Sequence, residues 1–197
     1  MKRKFVTNLI FLLLLNLLVK PFWIFGIERT VQNIVGASEF GFYFSLFSFS
    51  MMLNILLDVG ITNYNNRNIS QNHHLLGKYV SHLITLKLLL AVFYAVVSIS
   101  LALLLGYSGR QLDMLYVLIF NQFLLSFILY LRSNISGLQL FKTDSMMSVL
   151  DRFLMILICC YLIWGRASRT AFQIEWFVYA QTASYLLTAL TCWLIVM

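Results

Sequence analysis

Long apolar runs alternate with short polar clusters along this whole chain, and the pattern repeats six times. Each run holds about 20 residues or more, the length that an α-helix needs to cross the hydrocarbon core of a bilayer. We therefore predict six membrane-spanning helices, at about 5–34, 40–63, 78–106, 112–139, 145–165 and 173–197. The clusters between them are too short to fold as separate aqueous domains.

Composition agrees with this pattern and narrows the class. Of 197 residues, 61% are hydrophobic and 11% are charged, and the mean hydropathy is +0.85. Soluble domains have about 45–50% apolar and about 25% charged residues, so a soluble globular enzyme is excluded. We predict an all-α, polytopic membrane protein that has the lipid bilayer as its surroundings.

Lysine and arginine in the short connections indicate the orientation of the helices, because cytoplasmic loops carry the excess of these residues. With the N-terminus in the cytoplasm, the cytoplasmic flanks hold Lys2, Arg3, Lys4, Arg67, Lys78, Arg132, Lys142 and Arg152. The outer flanks then hold Arg29, Arg110, Arg166 and Arg169. We therefore expect a cytoplasmic N-terminus and, after an even number of spans, a cytoplasmic C-terminus.

The net charge of +7 does not indicate a nucleic-acid partner, because the cations are scattered between apolar runs rather than gathered in one patch. The last apolar run reaches Met197 without a lysine or arginine to anchor it. From this we expect that the chain is the N-terminal part of a longer protein or one half of a split gene.

Motifs for catalysis and cofactor binding are absent from the sequence. Neither GxxxxGK[ST] nor GxGxxG occurs, and there is no HExxH, CxxC or GxSxG, so we predict no enzyme activity, no cofactor and no metal. The adjacent His73 and His74 have poor spacing for metal ligands. Cys159, Cys160 and Cys192 lie in apolar runs, and we interpret them as small hydrophobic residues.

Ionisable residues inside the predicted spans are the best candidates for function. Each costs about 2.5–3.5 kcal/mol in mid-membrane and usually faces a cavity or a partner. In the first span Lys20 precedes Pro21, which is liable to kink the helix, and Glu28 and Arg29 follow. If the helix continues through Glu28 and Arg29, the pair lies in a cavity at outer-leaflet depth, which we favour. If the helix ends before them, the pair belongs to a solvated loop.

The second span carries a polar stripe at four-residue steps, formed by Ser50, Asn54, Asp58 and Thr62. We interpret Ser50 and Asn54 as contacts between helices, because such residues commonly hydrogen-bond across helix interfaces in membranes. For Asp58 three roles stay open: pairing with Arg67, capping a neighbouring helix, or transport.

Lys87 lies deep in the third span, so we expect its ammonium group to face a cavity rather than the interface. In the fourth span the polar side formed by Gln122, Ser126, Ser133 and Gly137 is explained by close helix packing. Every predicted helix therefore has one polar face, which is typical of a bundle around a hydrated space.

The net charge expected in that space follows from the ionisable groups in or near the spans. These groups are Lys20, Arg29, Lys87, Arg152, Glu28, Asp58 and Asp151. Cations outnumber anions, so we expect a weakly cationic cavity. Such a cavity attracts anions, and phosphate in particular.

Several short motifs resemble a known family. The first helix is followed by Val35-Gly36 and Phe40-Gly41-Phe42-Tyr43, and the second closes with Leu57-Asp58-Val59-Gly60 before Arg67. With these motifs the whole chain resembles the polysaccharide or O-antigen flippases of the multidrug/oligosaccharidyl-lipid/polysaccharide exporter superfamily. Further on, Gly137-Leu138-Gln139 and Arg152 are also similar to the family. The chain departs from it at Asn33, where many members have arginine.

This resemblance implies a fold of two six-helix lobes, of which residues 1–197 would be the N-terminal one and the C-terminal lobe would be missing. It implies alternating access, which carries an undecaprenyl-pyrophosphate-linked oligosaccharide across the bacterial inner membrane. Polysaccharide polymerase and glycosyltransferases are further candidate partners. The residues that we expect to bind substrate are Lys20, Arg29, Lys87 and Arg152, and those expected to be structural or gating are Glu28, Asp58 and Arg67.

Two other functions stay open. An exporter of the same superfamily could carry a drug or another lipid instead. A membrane enzyme acting on lipid-linked sugars, such as a ligase or polymerase, would need a sizeable outer loop. The longest connection, residues 64–77, is predicted to be cytoplasmic, which counts against an enzyme.

Overall fold

The computed structural model describes residues 14, 16–71, 76–165 and 172–197, with side chains for all of these except 76–81. This part of the chain is all-α. Its seven α-helices are α1 (Arg29–Val35), α2 (Ala37–Met52), α3 (Ile61–Gln71), α4 (Leu76–Leu104), α5 (Arg110–Gly137), α6 (Phe141–Trp164) and α7 (Ile174–Val196).

Four helices in the described residues, α4 to α7, are long and apolar enough to cross a membrane. The bent pair of α2 and α3 gives a fifth candidate if it is counted as one span. The all-α and polytopic prediction is confirmed to this extent, with four or five candidate spans among the described residues. The start of the predicted first span, residues 5–13, lies outside the described residues.

The first predicted helix does not end before Glu28 and Arg29 but continues through both residues. The chain is helical from residue 16 to Val35, and the stretch Phe22–Glu28 is π-helical. This stretch begins directly after Pro21, which has no backbone N–H to donate to the preceding turn. Glu28 and Arg29 are therefore in a helix, as the first of the two alternatives requires.

The second predicted span is broken rather than continuous, so the prediction of one helix over 40–63 is wrong. Helix α2 ends at Met52, a 3₁₀ turn covers Asn54–Leu57, and α3 begins at Ile61 with its axis bent by 48°. Between them Val59 and Gly60 have φ of 41° and 84°. A helix cannot pass through residues in this left-handed region, so the stripe at four-residue steps is interrupted at Asp58.

Helix α5 is the centre of the bundle and packs against α2, α3, α4, α6 and α7. Its polar side lies in these contacts: the Gln122 side chain accepts a hydrogen bond from Asn54 at 3.2 Å, and Ser133 accepts one from Asn65 at 2.8 Å. At Gly137 an added Cβ would lie 3.0 Å from the side chain of Ile69, so α3 and α5 approach closely there. The interpretation of Asn54 and of the fourth span as helix packing is confirmed.

The outer surface of the bundle is strongly apolar. Helices α4 and α6 expose large side chains such as Leu89, Val92, Leu157 and Trp164. An apolar surface of this extent has no favourable contact with water, but it suits the hydrocarbon core of a bilayer.

Candidate site at the broken helix

A buried ion pair joins α4 to the break between α2 and α3. The side chain of Lys87 is 2% exposed, and its Nζ lies 2.6 Å from Oδ1 of Asp58. Lys87 Nζ also donates to Ser126 Oγ at 2.9 Å and to the carbonyl oxygen of Leu57 at 3.1 Å. An ammonium group has three N–H donors, so all of them have acceptors.

The break itself explains why these partners meet. In a continuous α-helix the N–H of Ile61 would donate to the Leu57 carbonyl, but here it donates to the carbonyl of Asp58 at 2.8 Å. Lys87 Nζ and, at 3.3 Å, Ser126 Oγ donate to Leu57 instead. The two side chains therefore replace a backbone hydrogen bond that the break removes.

Asp58 plays the complementary part at the start of α3. Its Oδ1 accepts hydrogen bonds from the backbone N–H of Thr62, at 3.2 Å, and from the Thr62 hydroxyl group. The ammonium thus lies at the carboxyl end of the first half-helix, and the carboxylate lies at the amino end of the second. Both positions are favourable for the helix dipoles, so the ion pair stabilises the break.

A cavity of about 310 Å³ lies beside this break. It is lined by Asn54, Ile55, Asp58, Thr62, Asn63, Ser126 and Leu129. Lys87 is not among these lining residues and its side chain is 2% exposed, so its ammonium does not face this cavity. Asp58 is the charged residue that faces the cavity: its side chain is 37% exposed, and Oδ2 accepts no hydrogen bond within the described part of the chain.

Arg152 belongs to a second cluster, where α6 meets the π-helical stretch. Its guanidinium carbon lies 5.5 Å from the centre of the Trp23 ring, and its Nε lies 3.6 Å from Oδ2 of Asp151. Glu28 is close enough to attract Arg152 electrostatically. Trp23 also stacks on Phe177, with ring centres 5.7 Å apart. Arg152 is therefore packed against the bundle and neutralised by neighbouring carboxylates.

The other expected site residues lie apart from these clusters. Lys20, Arg29 and Arg67 are exposed. None of them forms an ion pair with another residue that the structure describes. Among the described residues Asp58 forms no ion pair with Arg67, and its carboxylate instead accepts hydrogen bonds from Thr62 in the first turn of α3. The charges that the sequence analysis placed around one weakly cationic cavity are thus divided between two neutralised clusters and an exposed surface.

A third charged cluster, which the sequence did not predict, is centred on Arg110. Arg110 binds Glu39 through two hydrogen bonds, at 3.1 and 2.6 Å, and its Nε donates to Glu175 at 2.8 Å. Glu39 and Glu175 lie in the first turns of α2 and α7, and Arg110 begins α5. These three helices therefore begin at the same end of the bundle, as alternating spans require.

The described residues contain no arrangement of side chains suited to bind a metal ion. No group of three histidine, cysteine, aspartate or glutamate residues in this part of the chain could hold a metal ion. Cys159, Cys160 and Cys192 form no disulfide.

The described residues form an all-α bundle with four or five candidate membrane spans, in which the Lys87–Asp58 ion pair stabilises the break between α2 and α3. Comparison of the chain with protein-family models, curated protein sequences and solved structures finds no match. Its function is therefore argued from its residues and their geometry.

Proposed function

We propose that the chain is one lobe of a flippase that moves a lipid-linked oligosaccharide across the bacterial inner membrane. A second, C-terminal lobe would complete the transporter, and the N-terminus would lie in the cytoplasm. The resemblance of residues 20–67 to polysaccharide flippases motivates this proposal, and the pattern of apolar helices is compatible with it.

The observation that carries the proposal is the Lys87–Asp58 pair at a broken helix beside a polar cavity. Lys87 lies five residues after His82, where the candidate span begins, about 7.5 Å along a helix that rises about 1.5 Å per residue, and its side chain is 2% exposed. Ionisable groups at such a depth are costly, and they usually mark substrate or ion pathways. Secondary transporters place their binding sites at interrupted helices of this kind.

Alternating access would use this arrangement in two ways. The glycan and the pyrophosphate would travel through the hydrated space between the lobes while the lipid tail stays in the bilayer. Lys20 and Arg29 keep exposed cationic groups on the first helix, so they are the better candidates to contact the pyrophosphate. Lys87 and Asp58 would hold the broken helix in place, and Arg152 would fix the first helix against α6.

The proposal is tested in cells that lack the chain and are complemented with variants. We expect loss of the chain to abolish surface polysaccharide while lipid-linked oligosaccharide accumulates on the cytoplasmic leaflet. Lys20→Ala combined with Arg29→Ala should give the same result, because both exposed cations near the first helix are removed. Lys142→Ala, which changes an exposed lysine on α6, is the matched control and should leave export normal.

Two outcomes would contradict the proposal. Normal surface polysaccharide in the double variant would exclude Lys20 and Arg29 from the pathway. Loss of polysaccharide without accumulation of the lipid-linked intermediate would favour an enzyme acting on lipid-linked sugars. Immunoblots of membrane fractions establish that each variant is present in equal amount.

A further inference from the structure

The cavity beside the broken helix has a chemistry of its own. Five of its seven lining residues are polar, and Asp58 is its one ionisable group. Asn63 is exposed and belongs to the lining, so its amide can both donate and accept hydrogen bonds there. Ile55 and Leu129 are 76% and 45% exposed and form an apolar part of the rim.

Neither an anion nor a cation suits this cavity. The three N–H groups of Lys87 already have acceptors, and the Asp58 carboxylate, not the ammonium, faces the cavity. A phosphate would therefore meet a negative group without a free cationic donor. For a cation, the ammonium 2.6 Å from Asp58 neutralises the carboxylate and repels a second positive charge.

We infer that this cavity binds a neutral, hydroxylated ring, the chemistry of a single sugar residue. Its hydroxyl groups would donate to Oδ2 of Asp58 and exchange hydrogen bonds with Asn63, while Ile55 and Leu129 contact the C–H face of the ring. The volume of about 310 Å³ lies at the lower end of the about 300–1,000 Å³ usual for ligand pockets, which fits one ring rather than a whole oligosaccharide. The identity of the ring as part of a lipid-linked oligosaccharide rests on the proposed function.

The test measures binding to the purified chain in phosphatidylcholine nanodiscs, whose headgroup has no hydroxyl group. The probes are lipid-linked oligosaccharide extracted from the native cells and undecaprenyl pyrophosphate without sugar. Asn63→Leu keeps the side-chain size but removes the hydrogen bonds of the amide, and it leaves Lys87, Asp58 and Ser126 in place. We expect it to weaken binding of the glycosylated lipid by about 3- to 10-fold, the effect of one or two hydrogen bonds, and to leave undecaprenyl pyrophosphate unchanged.

A second cavity variant and a control variant distinguish loss of the cavity from misfolding of the chain. Leu129→Trp fills the cavity from the α5 side and should also weaken only the glycosylated lipid. Gln71→Leu makes a similar change on α3 at an exposed residue outside the cavity, and it should alter neither affinity. If both cavity variants leave the affinity for the glycosylated lipid unchanged, or weaken both lipids equally, the inference is overturned while the flippase proposal stands.

The converse outcome separates the two proposals. If the wild-type chain binds neither lipid, the flippase proposal is decided by the export assay in cells, and the cavity is tested with free glucose and N-acetylglucosamine. Binding of either sugar that Asn63→Leu weakens would support the inference without the flippase. Absence of such binding would overturn it.

Discussion

The most informative single residue is Lys87, because a lysine inside a span requires a reason. Its ammonium group is removed from solvent, but it gains a carboxylate, a hydroxyl and the backbone carbonyl of Leu57 as acceptors. Removing Asp58 alone would leave the Lys87 ammonium buried without its counter-charge, which is usually worse than replacing both partners. The pair should therefore behave as a unit.

We predict that Lys87→Met lowers the free energy of unfolding by about 1–3 kcal/mol, because the part-exposed Asp58 carboxylate and the Leu57 carbonyl lose their charged donor. The double variant Lys87→Met with Asp58→Asn should recover part of this loss, since it leaves no unpaired charge and the new amide oxygen can still accept from Thr62. Unfolding in detergent, analysed as a double-mutant cycle, measures the coupling. Simple additivity of the two single changes would refute the pairing.

The sequence identifies Lys87 but not its partner, and the reason is physical. A cation inside a long apolar run is visible without a structure, whereas Asp58 lies 29 residues away and reaches Lys87 only because the second span breaks. Along the chain Arg67 is an equal candidate to pair with Asp58, yet it is exposed and forms no ion pair with it. The tripeptide Asp58-Val59-Gly60 within an apolar run is the signal that indicates the break.

At the scale of elements, the long apolar runs predict α4 to α7 to within a few residues. Length and hydropathy decide these helices because each must satisfy its backbone hydrogen bonds internally. The same reasoning fails for the second span, where apolar residues continue through Ile55, Leu56 and Leu57 and hide the change of direction. Side chains from α4 and α5 satisfy the interrupted backbone there, so hydropathy alone does not reveal the break.

Gly60 and Gly41 form a matched pair that tests the break. Neither glycine has another atom within 4 Å of an added Cβ, but Gly60 has φ of 84° whereas Gly41 lies inside α2. We predict that Gly60→Ala lowers the free energy of unfolding by about 1–2 kcal/mol, because L-residues are strained in this region. Gly41→Ala should instead be stabilising by up to about 1 kcal/mol. Equal effects of the two changes on thermal unfolding would mean that the backbone at Gly60 is not left-handed.

At the scale of the whole molecule, polar contacts fasten the bundle at three levels. Arg110 joins α2, α5 and α7 at one end, and Lys87 joins α4 and α5 to the broken helix within the span. At the other end Arg132 binds Asp144 at 2.8 Å and links α5 to α6. A bundle fastened in this way is suited to move as one body, as one lobe of the proposed transporter would have to do.

The Arg110 cluster allows a last prediction about how the end of the bundle is held. Arg110→Met leaves Glu39 and Glu175 facing each other without a cation, so the chain should unfold at a lower temperature than the wild type. Because the cluster is exposed, this difference should shrink between about 0.1 M and about 1 M salt, as the Debye length falls from about 10 Å to about 3 Å.

Arg110→Lys should give an intermediate loss, since lysine keeps the charge but lacks the planar fork that binds two carboxylates. Arg29→Met removes an exposed arginine that has no ion pair among the described residues and serves as the control. A loss for Arg110→Met that is the same at both salt concentrations would show that packing over Phe42, 5.1 Å from the guanidinium carbon, holds the three helices together rather than charge.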